Sequence, residues 1–209
     1  MTTAIPCAIF TINDNIIKLS FWHFRLNEHG SIQIIYNGEH LINNDGLIGG
    51  NQDIINDFCD YVEQNLNTVG FLNENGEEFC EKLAVMVVKG DLHLSINDVL
   101  QVSDEFYERS ITLVIVSSET PPFEIWDLYR TSARNTGGEY MLLTDAPRIL
   151  SHVISSVLSE EDTFRQAFLH MAEENARAIP DVDGRLEEEY ETVNNIADGD
   201  FDFNHGLSY

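Results

Sequence analysis

The chain of 209 residues and 23.7 kDa carries 36 acidic against 11 basic residues, a formal charge of −25, with 43% apolar and 10% aromatic residues. A domain of this length buries roughly 70% of its unfolded surface, so one sizeable core is within reach. The charge speaks against a phosphate backbone or an anionic membrane as a direct partner, because both want clustered Lys and Arg, and here Lys18, Lys82 and Lys89 stand with only scattered arginines.

The first strand signal is the β-rich run 8–12, closed by the turn cluster Asn13-Asp14-Asn15. Residues 16–26 alternate, with Ile17, Leu19 and Phe21 on one face and Trp22, Phe24 and Leu26 on the other. Apolar groups on both faces predict a strand covered on both sides. Asn27-Glu28-His29-Gly30 is the next turn, and 31–36 reads as a short strand completing a meander. Residues 37–50 read as a loop ending in Gly49-Gly50.

From there the period shifts to 3.6. Ile54, Ile55, Phe58, Tyr61, Val62 and Leu66 predict a helix over 51–66, with Asp53 and Asp57 in its early turns, where the helix dipole favours them. Residues 83–88 and 111–116 are continuous apolar runs of the kind buried inside a parallel sheet. Between them 96–110 contains a helix. Pro121-Pro122 starts another helix over 123–135, which Gly137-Gly138 stops. A short strand over 139–143, a helix over 146–158 and an acidic helix over 160–179 follow. Residues 181–209 hold nine acidic residues and a single basic one, Arg185, with few apolar groups, and read as a mobile tail.

The three cysteines, Cys7, Cys59 and Cys80, form no Cys-x-x-Cys pair and are odd in number, so they read as reduced, mostly buried thiols. Residues 1–10 lack a basic residue ahead of their short apolar run, so the shape of a secretory signal is missing. No apolar stretch approaches the ~18 residues of a membrane span, and no Asn begins a glycosylation sequon. These features together predict a cytoplasmic protein.

Alternating helices and strands after residue 37 predict a three-layer, Rossmann-like α/β fold. Its mostly parallel sheet is flanked by helices and preceded by an N-terminal antiparallel meander. The stretch TSARNTGGEYMLLTD over 131–145, followed by a helix, resembles the end of a von Willebrand factor A-type domain. KLSFWHF over 18–24, GSIQIIY over 30–36 and LIGGNQDI over 47–54 resemble that family's hairpin and its Gly-Gly-Thr-Asp loop. The resemblance covers residues 4–158. It implies a domain over 1–158, a helical extension over 159–180 and an acidic tail over 181–209.

The family's metal site takes Asp-x-Ser-x-Ser after the first strand, a Thr in the Gly-Gly loop and an acid after the fourth strand, since hard cations need converging oxygens. Here Thr11-Ile12-Asn13-Asp14-Asn15 has no serines, Asn51 stands at the Thr position, and Lys89 falls near the acidic position with Asp91 two residues on. The resemblance therefore implies a degenerate site without metal or cofactor. The family also places a helix between its first two strands, and 13–16 leaves no room for one, which makes those strands antiparallel. Ribonuclease H-like and actin-like folds also lead from a meander into α/β units and remain an alternative. The segment 9–19 lacks the glycines of a sugar-kinase phosphate loop.

Asp91, His93 and Ser95 alternate after a buried strand, at the end of the sheet where open α/β folds bind ligands. They read either as a metal or hydrolytic cluster or as a capped loop entering a helix, and no Gly-x-Ser-x-Gly elbow supports the former. No His-x-x-x-His or His-Glu-x-x-His spacing, Walker loop or Gly-x-Gly-x-x-Gly occurs. Glu160-Glu161-Asp162 and Glu187-Glu188-Glu189 read as solvated faces. Tyr190, Phe201, Phe203 and Tyr209 among the tail's acids read as docking anchors or as part of a solubilising tail.

The reading that results is a non-catalytic scaffold or adaptor module whose partner is a protein with a basic surface. Its expected contact residues are Asp14, Asn51, Asp53, Asp91, His93, Ser95 and Ser117. The alternatives are an acidic decoy for a nucleic-acid-binding surface, and an α/β enzyme or metal-dependent ligand-binding domain with an unrecognised site.

Overall fold

The computed structural model describes residues 4–13, 16–43, 52–67, 81–88 and 96–178. In chain order the elements are β1 (Ala4–Asn13), β2 (Ile16–Leu26), β3 (Ile32–Asn43), α1 (Gln52–Asn67), β4 (Lys82–Val88), α2 (Ile96–Glu108), β5 (Ile111–Ser117), α3 (Phe123–Asn135), β6 (Tyr140–Leu142), α4 (Ala146–Leu158) and α5 (Phe164–Ala178). The chain divides into two compact units, Met1–Met171 and Ala172–Tyr209; the sheet, α1–α4 and residues 164–171 of α5 belong to the first. The mobile tail expected over 181–209 lies outside the described residues.

The strands form one sheet in the order β3-β2-β1-β4-β5-β6. β1, β2 and β3 make the antiparallel meander, and β1, β4, β5 and β6 run parallel. The two residues between β1 and β2 permit only a hairpin, as the sequence reading held.

Alternation sorts the strand side chains into two cores. On one face Ala8 and Phe10 of β1, Ala84 and Met86 of β4, and Leu113 and Ile115 of β5 meet α1, α2 and α3. On the other, Ile5 and Cys7, Leu83 and Val85, and Val114 and Val116 meet α4 and the first turns of α5. The result is a three-layer α/β fold with β4 and β5 buried on both faces, which explains their unbroken apolar sequences. Phe10, Phe58 and Phe106 bring β1, α1 and α2 together, with ring centroids 5.5–6.4 Å apart. β2 is covered on both faces but not along its whole length. Ile17, Leu19 and Phe21 pack under α1–α3, while Phe24, with Trp22 and Leu26, packs on the opposite side.

Two boundaries differ from the sequence reading, the end of β3 and the start of the acidic helix. β3 does not stop at Tyr36 but runs to Asn43. Asn37-Gly38 looks like a turn signal, yet the register against β2 skips Asn37 between the pairs Trp22↔Tyr36 and Phe21↔Gly38, so a bulge absorbs it. The helix expected within 96–110 is α2, which ends at Glu108 because Ser110 takes a left-handed φ of 54° to enter β5. The acidic helix begins at Phe164 rather than Glu160. Glu160 is itself left-handed at φ 59°, and Thr163 opens the new helix in a reciprocal cap with Gln166.

The turn between α3 and β6 depends on its glycines. Gly137 has φ 88°, and a Cβ on Gly138 would sit 2.0 Å from the Leu113 carbonyl oxygen. Beside them the Thr136 hydroxyl donates to Ala133 O at 2.8 Å and accepts the Leu113 N–H at 2.7 Å, satisfying a buried strand donor.

Candidate functional site

The carboxyl ends of β1, β4, β5 and β6 lie along one edge of the sheet, and the helices after β3, β4, β5 and β6 begin there. Open α/β sheets bind ligands at this edge. Of the seven expected contact residues, Asp14, Asn51, Asp91, His93 and Ser95 lie outside the described residues, as do Lys89 and Cys80. Asp53 and Ser117 are described.

Ser117 ends β5, paired between Val88 of β4 and Leu142 of β6. The chain leaving it is tied on both sides, Ser118 N–H to Val88 O at 3.2 Å and Leu143 N–H to Ser117 O at 2.8 Å. The buried Ser117 hydroxyl lies 2.7 Å from the Glu119 carbonyl and 2.7 Å from the Tyr140 hydroxyl. A carbonyl only accepts, so Ser117 donates to Glu119 and accepts from Tyr140. Tyr140 rests in turn on Tyr129 of α3, centroids 6.0 Å apart. Both directions of the serine are thus used to fasten a turn, and neither partner is a base that would activate it.

Asp53 stands exposed in the first turn of α1. One turn on, Asp57 lines an open groove of about 520 Å³ between α1 and the end of β3, with Ile17, His40, Leu41, Ile54 and Tyr61. The His40 ring meets Phe21 and Tyr61 edge-on at 5.9 and 5.7 Å. This groove escaped the sequence reading because it needs the second half of β3, which looked like loop.

Asp98, in the first turn of α2, was also missed; it is fully buried. The signal was present as Ser95-x-x-Asp98 ahead of an apolar helix, the capping-box pattern.

At the opposite, amino edge the first residue of β4, Lys82, pairs with Glu63 at 3.2 Å. Arg109, just past α2, reaches Asp60 at 2.6 Å and Glu63 at 3.5 Å, and also pairs with Glu105. Burial works against the Arg109 charge, but the hydrogen bonds it donates to Asp60 and Glu105 outweigh it and push the guanidinium above its ordinary range. Elsewhere Lys18 pairs with Glu39, Arg134 with Glu139, and Arg130 lies over the Trp126 ring at 5.0 Å. Many described cations are therefore spent on internal partners.

Burial pushes the thiols up, Cys59 to about 12 and Cys7 beyond the usual range, so both are inert free thiols at neutral pH. Among the described residues no three His, Cys, Asp or Glu side chains are grouped as metal ligands, although the loops after β1, β3 and β4 are not among them. No helix among the described residues is long and apolar enough to cross a membrane.

No protein-family model and no curated protein matches the sequence. Among solved structures, the chain is similar to the RuvC structure of Thermus thermophilus at 8% identity and a TM-score of 0.35, over 62% of this chain and 80% of that one. It is similar to the PPX-GPPA enzyme of Aquifex aeolicus at 10% identity and a TM-score of 0.32, over 55% of this chain and 36% of that one. A second structure, of the Aquifex aeolicus member of the Ppx/GppA family, aligns at 9% identity and a TM-score of 0.25, over 77% of this chain and 42% of that one. The chain thus spans less than half the length of both Aquifex structures. Likenesses this distant say nothing about activity.

Proposed function

We propose that this chain is a non-catalytic interaction module of scaffold or adaptor type, with a degenerate von Willebrand factor A-like architecture in which a β-hairpin replaces the first helix. It meets a basic protein surface at the carboxyl edge of its sheet, in a reducing, cytoplasmic setting. The observation that carries the proposal is the internal pairing of the cations. Lys18, Lys82, Arg109 and Arg134 are engaged with carboxylates of their own chain, and Arg130 with an aromatic ring. The chain keeps a surplus of 36 acidic over 11 basic residues, which favours a partner of opposite charge. The central strands add to this reading. AIPCAIFTIN, KLAVMVV and ITLVIVS contain no Asp, Glu or His, so they offer neither a carboxylate pair nor a general base to the edge they end on.

The test is capture of partners from the protein's own cells by the full chain and by an Asp53→Lys/Asp57→Lys variant, with identification by mass spectrometry. The proposal expects a defined set of basic proteins that is lost in the variant and released by ~0.3 M salt, where exposed charges are screened within several ångström. An identical, salt-resistant set with both proteins would refute it. The charge of −25 also favours a second reading, a decoy that occupies a nucleic-acid-binding surface. In that case nucleic acid displaces the chain from its partner, whereas a scaffold partner binds both together.

A further inference from the structure

We infer that β3 is a self-association edge, and that two copies of this chain join through antiparallel β3–β3 pairing into one continuous sheet. Among the described residues the twelve-residue β3 pairs with β2 alone, and none of them pairs with its other side. Long open edges are usually blunted by charge, proline or brevity. β3, IQIIYNGEHLIN, has no proline and a single charged residue, Glu39, which Lys18 neutralises at 3.1 Å.

Its exposed groups include three bulky apolar side chains beside Gln33, Asn37, Glu39 and His40. Ile34, Tyr36 and Leu41 are 60%, 51% and 66% exposed, among the largest exposures of any bulky apolar side chains described. In register they stand opposite Phe24, Trp22 and Lys18 of β2, on the sheet face that α4 and α5 cover only further in. The Tyr36 ring leans on Trp22 at 4.8 Å, extending that apolar strip to the edge.

Charge decides which occupant fits. Residues 16–43 carry Lys18, Arg25, Glu28 and Glu39 and are formally neutral in a chain of −25. A basic partner has nothing to seek there. A second copy does, because this formally neutral hairpin lets two acidic molecules approach without opposing like charges. A two-fold arrangement also solves the bulge. With the axis between Asn37 and Gly38, the half Ile32–Tyr36 of one copy faces the half Glu39–Asn43 of the other. Ile34 then lies against Leu41 of the second copy, and Glu39 against Tyr36 rather than another carboxylate.

This inference stands apart from the carboxyl-edge proposal, and salt separates the two. Screening relieves repulsion between two copies of charge −25, so raising salt from ~0.05 to ~0.3 M tightens the dimer, while it loosens binding of a basic partner. Sedimentation equilibrium of the full chain up to ~100 µM should give twice the 23.7 kDa monomer mass. The dissociation constant should rise by about tenfold or more in Ile34→Lys/Leu41→Lys, with an unchanged melting temperature. Ile34→Cys/Leu41→Cys should form a disulfide-linked dimer under mild oxidation. A monomer throughout, a dimer indifferent to the lysine pair, or a dimer loosened by salt would each overturn the inference.

Discussion

An alanine at Gly138 would place its Cβ 2.0 Å from the Leu113 carbonyl oxygen and 2.8 Å from its carbon. To restore normal contact, the α3–β6 turn and β5 must part by at least about 1 Å. β5 cannot yield alone, because β4 and β6 hold it on either side. The turn cannot yield freely either, because Gly138 N–H donates to Ala133 O at 3.0 Å and Thr136 accepts the Leu113 N–H at 2.7 Å. Overpacking, together with weakening of one or two buried hydrogen bonds at about 1 kcal/mol each, gives a cost of about 2–4 kcal/mol. The control is Gly30→Ala. Gly30 has φ 73° but nothing within 4 Å of a new Cβ, so it carries backbone strain alone, about 1 kcal/mol. Urea denaturation followed by circular dichroism measures both. A Gly138→Ala midpoint equal to or above that of Gly30→Ala would refute this account of the turn.

Three further outcomes follow from the described contacts. Burial raises the Glu81 carboxyl although the Phe164 N–H lowers it. The folded state then holds the proton more tightly, so stability falls as pH rises from about 4.5 through the raised value; Glu81→Gln, which keeps the acceptor for Phe164, should flatten that slope in melting curves taken across the window, and an unchanged slope would sink the assignment. With Cys7 and Cys59 buried and their thiols raised, a thiol reagent at about pH 8 should leave both unmodified in the native protein and label all three cysteines after denaturation; fast native labelling of Cys59, read by peptide mapping, would contradict its burial. Arg109→Leu leaves Asp60, Glu63 and Glu105 facing one another and should cost about 1–3 kcal/mol in urea titration, partly recovered at high salt, which screens like charges; no recovery would mean the loss is one of packing.

The residues that announced their own structure are those governed by near neighbours. β2, α3 and α4 begin and end where alternation, Pro122 and the turn after Leu158 place them. β3 resisted because an edge strand exposes polar Glu39 and His40 to water, and because Asn37-Gly38 serves as a bulge, not a reversal. At the site, Ser117 was visible as a position but not as a function. Its commitment to Tyr140 spans 23 residues and exists only once β5 and β6 pair. The α1–β3 groove is likewise a product of register, which no local pattern encodes.

The seam between β1 and β4 has a consequence for folding in the cell. Cys7 to Thr11 pair in parallel with Leu83 to Val87, and among the described residues no other strand pairs with that side of β4. KLAVMVV has no proline, glycine or acid, and all but one of its residues are buried. Chain synthesis completes the β1–β2 hairpin at Leu26, well before β4 begins at Lys82, so β1 waits as a ready template and β4 never has to stand as a bare edge. Removing residues 1–43 would strip that shield and leave a segment of steric-zipper character open to copies of itself. The meander is in this sense the fold's built-in guard against aggregation.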